Sequence, residues 1–107
     1  MELNFMIKKL GILLTTSTES ENTHTVVKLT EAAIEEGAEV HIFLMCDGVY
    51  HLNHEEFKGL AEKGAHIVVC AHNAIERKVD KKDFVLWGSQ YDLACMVKDC
   101  DRFLAFN

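Results

Sequence analysis

From Lys9 to Thr15 the sequence KLGILLT is apolar over the length of one strand, and the polar stretch Thr16–Thr23 follows it. Between Asn22 and Glu36 the period becomes helical: Val26, Leu29 and Ala33 fall on one face with Ile34 flanking it, and Gly37 is placed to stop the helix. Val40–Met45 is again a compact apolar run and predicts a second, buried strand. Asp47-Gly48 predicts a turn. Asn53 and Glu56 form a capping-box-like pair ahead of a helix carrying Phe57, Leu60 and Ala61, which Gly64 ends. Ile67–Cys70 predicts a third strand, Ala71–Lys78 a short helix and Phe84–Trp87 a short fourth strand. Ser89 can cap a helix with the apolar stripe Leu93, Met96, Val97 and Cys100, and Arg102–Phe106 predicts a last strand.

Strand and helix thus alternate about four times, the pattern of an α/β domain. A mostly parallel sheet of about five strands, covered on both faces in three layers, is expected, flavodoxin- or Rossmann-like in form. At 107 residues the chain is the size of one domain, residues 1–107. In such sheets reactive groups gather beyond the carboxyl ends of the strands. Thr15–Ser17, Cys46-Asp47-Gly48 and Cys70 fall there.

Charge narrows the function classes. The net charge is −6, from 17 acidic and 11 basic residues, and the densest basic pairs are Lys8-Lys9, Arg77-Lys78 and Lys81-Lys82. Direct nucleic-acid binding and attachment to an anionic membrane are not expected from that balance. Met1–Met6 has no charged start followed by a long apolar run, and no apolar stretch is long enough to span a bilayer. The four cysteines lack CxxC spacing, so reduced thiols and a cytoplasmic location are expected.

Cys70, at a strand end with a helix start just after it, is the candidate for reactive chemistry, because helix N–H groups stabilise a thiolate. His72 could shuttle a proton, and Arg77 lies about two turns further on. A buried, inert thiol filling core space is the alternative at the same position. Cys46 precedes Asp47, whose carboxylate opposes thiolate formation, so it reads as core filler or a wall of the site. Cys95 and Cys100 fall on the last helix and read as structural. Among His51, His54, His66 and His72 with Cys46 and Cys70, the only close pair is His51 and His54, at i, i+3 across a loop-to-helix junction, so no metal is expected. Neither GxGxxG nor GxxxxGK[ST] is present, and no nucleotide cofactor is expected.

Three segments in order carry a family resemblance. Gly48-Val49-Tyr50 with Asn53, Cys70 with Arg77 and Val79, and Cys100-Asp101-Arg102 before an apolar tail resemble the DsrE/DsrF family, most closely its TusD/DsrE branch. The chain departs from that branch in being shorter between the cysteine segment and the last helix, in having Lys78 where Gly is common, and in carrying Cys46. The resemblance implies a three-layer subunit that assembles as a homotrimer or hexamer, or as a heteromer with related subunits. It further implies that Cys70 accepts sulfane sulfur as a persulfide and passes it on. Exchange would be with a TusA-like or rhodanese-like carrier, in a pathway of tRNA thiolation or sulfur oxidation. In this sulfurtransferase-type reading His72 and Arg77 tune charge, and Cys46, Gly48 and Tyr50 shape the site. No metal or organic cofactor is required. Two rival classes are a noncatalytic oligomeric scaffold or regulatory subunit of the same fold, and a small-ligand or redox-sensing domain.

Overall fold

The computed structural model describes residues 7–107; residues 1–6, where no signal peptide is expected, lie outside the described residues. Five strands form: β1 (Lys9–Leu14), β2 (Glu39–Leu44), β3 (His66–Cys70), β4 (Leu86–Gly88) and β5 (Arg102–Phe106). They lie in the order β4-β3-β2-β1-β5 with every neighbouring pair parallel. Four α-helices connect them: α1 (Glu21–Glu35), α2 (Glu55–Glu62), α3 (Ala71–Glu76) and α4 (Gln90–Asp99). The expected α/β sheet is present.

The strand order dictates which face each helix covers. β1 to β4 advance in one direction across the sheet, so right-handed crossovers put α1, α2 and α3 on one face. The return from β4 to β5 carries α4 to the other. Two clusters reflect this division. The larger joins Leu10, Ile12, Leu14, Val40, Ile42, Leu44, Ile67 and Val69 to Val26 and Val27 of α1, Phe57 and Leu60 of α2, and Ala74 of α3. The smaller joins Phe43, Val68 and Cys70 to Met96 of α4, with Leu13, Leu93 and Phe103 packed against it. Alternation along the strands sorts residues between the clusters.

Local chemistry sets the boundaries, and several differ from expectation. Gly37 and Gly64 end α1 and α2 with φ of 96° and 110°, a left-handed backbone that glycine adopts without a Cβ penalty. On α1 the fully buried stripe is Thr23, Val26, Val27 and Thr30, while Leu29, Ala33 and Ile34 are partly buried beside it. The Asp47-Gly48 turn is instead the start of an eight-residue 3-10 helix, Cys46–Asn53. That helix runs through Asn53, so the expected capping box at Asn53 and Glu56 does not form. The N-cap of α2 is His54, whose backbone N–H bonds the His51 carbonyl and whose side chain makes no capping bond. α3 stops at Glu76, and β4 begins at Leu86. Ser89 caps α4 in a full capping box with Asp92. Val97 is 49% exposed and does not belong to the buried stripe of α4. Cys95 lies within α4, whereas Cys100 is its C-cap and outside the helix.

Candidate functional site

β2 and β3 are adjacent and parallel, so Cys46 and Cys70 sit at the same carboxyl edge of the sheet. Their surroundings differ because the chain leaves the two strands differently. After Leu44 the backbone turns through Met45 into the 3-10 helix, with Cys46 in a left-handed conformation at φ 53°. That φ is uncommon for a non-glycine residue. Close packing of this helix against the end of β1 requires Gly48, where an added Cβ would lie 2.0 Å from the Leu14 carbonyl oxygen. Beneath it His51 is fully buried, with Nδ1 2.8 Å from the Gly48 carbonyl and Nε2 2.7 Å from the Thr23 hydroxyl. A carbonyl can only accept, so Nδ1 carries the proton and Nε2 accepts from Thr23. Burial pushes the His51 pKa below its ordinary value.

Cys70 ends β3 and is also the N-cap residue of α3. Its side chain points to the α4 face, within the Phe43, Val68 and Met96 cluster, and the residue is only 4% exposed. Among the described residues one polar side chain reaches it: the Gln90 amide lies 3.9 Å from Sγ, within hydrogen-bonding range for sulfur. Gln90 is the first residue of α4, directly after the Ser89 cap. The first turn of α4 therefore roofs the thiol. α3 has six residues, so the helix-start argument made for Cys70 rests on a single short helix.

The charged residues expected near Cys70 are held elsewhere. Arg77 Nε donates to Asp47 Oδ1 at 2.9 Å, and its Nη1 donates to Glu76 Oε1 at 3.3 Å. The Asp47 hydrogen bond, chiefly, holds the guanidinium pKa above its ordinary value. Asn73 joins the same group: its Oδ1 accepts from the Cys46 backbone N–H at 2.8 Å, and its Nδ2 donates to Glu76 at 3.2 Å. Cys46, Asp47, Asn73, Glu76 and Arg77 thus form a polar clasp between the 3-10 helix and α3. His72 is 80% exposed at its side chain, with Nε2 3.3 Å from Glu76 Oε2. Tyr50 is 39% exposed. Of the six expected site residues, the structure joins Cys46 and Arg77 in the clasp and puts Gly48 in the 3-10 helix. Cys70 is separate, on the α4 face.

Gln90 and Asn73 were not anticipated. The Ser89 cap places Gln90 at a helix start, which is the one sequence signal for it. Asn73 carries no such signal, since its contact depends on the path of the chain after β2. Burial pushes the Cys100 thiol up, as befits a structural residue. A hollow of about 350 Å³ bordered by Leu52, His54, Lys58, Lys82 and Phe84 contains neither Cys46 nor Cys70. No helix among the described residues is long and apolar enough to cross a membrane.

Comparison with known proteins supplies the context for this edge. The crystal structure of the YchN protein from E. coli superposes with a TM-score of 0.81 at 20% identity, covering 94% of this chain and all of that one. A Bacteroides thetaiotaomicron protein of unknown function, BT1422, gives 0.73 at 16% identity over 92% and 95% of the two chains. Both likenesses concern the fold. An uncharacterized Methanocaldococcus jannaschii protein, MJ0989, is 27% identical over 100 residues, covering 80% of this chain and 88% of that protein. The DsrE/DsrF-like family model matches residues 8–106, and the chain belongs to that family, which is generally associated with sulfur relay.

Proposed function

We propose that this protein is a sulfur-relay subunit that carries sulfane sulfur on Cys70. The observation that supports the reading best is a thiol at the carboxyl end of β3 with the Gln90 amide 3.9 Å from its sulfur. An N–H aimed at the sulfur can hold its position through the exchange. In the proposed step the Cys70 thiolate attacks the outer sulfur of a donor persulfide. The new S–S bond forms as the donor S–S bond breaks, and the donor departs as a thiolate. Cys70 is left as a persulfide, and an acceptor thiolate removes the outer sulfur by the same exchange. No electron leaves the pair of reactants, so no external oxidant is required.

The donor and acceptor fitting this chemistry are small carriers of the TusA or rhodanese type, acting in the cytoplasm on a trimer or hexamer of this chain or a heteromer with related subunits. The final destination would be tRNA thiolation or sulfur oxidation. Because Cys70 is 4% exposed, loading requires the structure over the thiol to open, and the first turn of α4, which carries Gln90, is the candidate. The same burial favours a second reading, a noncatalytic oligomeric subunit whose Cys70 fills the core.

Intact-mass spectrometry after incubation with a persulfide donor separates the two. The relay reading expects an added mass of about 32 Da, lost in Cys70→Ser and retained in Cys95→Ser. No added mass on the assembled wild type supports the core-filling reading. Added mass that persists in Cys70→Ser but vanishes in Cys46→Ser moves the carrier role to Cys46.

A further inference from the structure

At the amino end of the sheet, on the face that α4 packs against, three potential metal ligands converge. Glu39 and His41 stand two residues apart on β2 and so share a face, and His41 is in register with His66 on β3. The two imidazoles stack with centroids 4.6 Å apart and planes 16° from parallel. His41 Nε2 hydrogen-bonds Glu39 Oε2. One donor atom from each of the three residues lies within 4.8 Å of the others.

We infer that Glu39, His41 and His66 form a binding site for a late first-row divalent cation, Zn²⁺ foremost. Two imidazole nitrogens and one carboxylate are a donor set these ions favour, and three protein ligands leave a tetrahedral ion one open position. Donors around such an ion stand roughly 3.3–3.5 Å apart, so the gap from 4.8 Å closes by side-chain rotation. The strands hold the three Cα positions in register throughout. The groups are accessible, with His41 and Glu39 side chains 26% and 45% exposed. The Glu39 carboxylate is engaged by His41 and, at 3.9 Å, by the Lys9 ammonium. The incoming dication replaces the His41 hydrogen bond and displaces Lys9.

The site stands apart from Cys70, while Cys100 Sγ lies on the same face beside Gly11, the register partner of His41. His66 opens β3 and Cys70 ends it, about 13 Å away along the strand. The ion would tie β2 to β3 and offer its open position to water or to a donor atom of another molecule. This inference does not depend on the sulfur-relay reading.

Titration of the chelator-treated full chain with Zn²⁺ alone, followed by calorimetry, tests it. One equivalent should bind, and His66→Ala should weaken binding at least about tenfold. Should His66→Ala fail to fold by circular dichroism, Glu39→Gln is judged by the same criterion. His72→Ala and His24→Ala should leave the affinity unchanged. Co²⁺ in place of Zn²⁺ should show ligand-field bands without a thiolate-to-metal charge-transfer band. The assignment is overturned by an absence of wild-type binding at about 100 µM ion, by unchanged affinity in the folded ligand variant, or by a thiolate band that places the ion on cysteine.

Discussion

His51 fills the space between the 3-10 helix and α1, and its two ring nitrogens are spoken for by Gly48 and Thr23. A second proton would have to be held without access to water, which is why burial depresses its pKa from the ordinary 6.5. Its neighbour His54 pushes in the same direction, while the Gly48 carbonyl opposes it. In the unfolded chain the ring takes up a proton near pH 6.5; in the fold it does so only at lower pH. The unfolded state therefore binds more protons in that window, and stability falls as pH drops below about 6.5. Each unit of depression corresponds to about 1.4 kcal/mol. Urea unfolding of the wild type should weaken between pH 7.5 and 5.5, and His51→Gln should flatten that dependence. Equal pH slopes for the two proteins would show that another group sets it. At this scale the sequence is least legible. Gly48 reads as a turn residue, yet its absent Cβ matters because the Leu14 carbonyl passes 2.0 Å from where that atom would be. Nothing along the chain shows that approach.

Among the elements, α4 has the clearest link between local sequence and the candidate site. Ser89 Oγ accepts from the Tyr91 backbone N–H at 3.3 Å, and Asp92 Oδ2 accepts from the Ser89 N–H at 2.8 Å. These bonds fasten the turn that carries Gln90 over Cys70. Ser89→Ala removes a cap bond and should cost about 1 kcal/mol, concentrated in that first turn. If opening of this turn admits reagents to the thiol, labelling of Cys70, read on its own peptide, should speed up about fivefold. Unchanged Cys70 labelling in a measurably destabilised Ser89→Ala would mean that the thiol is reached by another route. The strands and helices were legible because apolar period and caps are local signals, and Ser89, Gly37 and Gly64 all act where expected. The 3-10 helix was not. Its course depends on the left-handed Cys46 and on the Asn73 side chain, 27 residues away, accepting from the Cys46 N–H. The charges assigned to Cys70 were misplaced for the same reason: Arg77 is near in sequence, but Asp47 claims it across the clasp.

The whole molecule is asymmetric across its sheet. Among the described residues three α-helices cover one face, while the β4-to-β5 return leaves α4 as the single helix on the other. One helix cannot span five strands, and apolar groups remain uncovered around it. Leu86, in register with Val68 on this face, is 59% exposed, and Tyr91 and Val97 of α4 are 76% and 49% exposed. Tyr50, Ile75 and Leu104 are exposed on other elements, scattered singly as is ordinary, whereas Leu86, Tyr91 and Val97 lie on or beside the one-helix face and make it the candidate contact surface. The parallel order was foreseeable from the strand–helix alternation, but the bare flank was not, since it follows from where β5 pairs. Burial against other copies would remove these side chains from water, at about 25 cal/mol for each Å² of apolar area covered. Light scattering should accordingly report a particle of several chains rather than a single 12.1 kDa chain. Val97→Asp and Leu86→Asp place charges on that flank and should shift the population toward monomer without loss of helical signal, because neither side chain is buried within the subunit. A wild type that scatters as a monomer at micromolar concentration would refute the assembly. An oligomer indifferent to both substitutions would move the interface to another face.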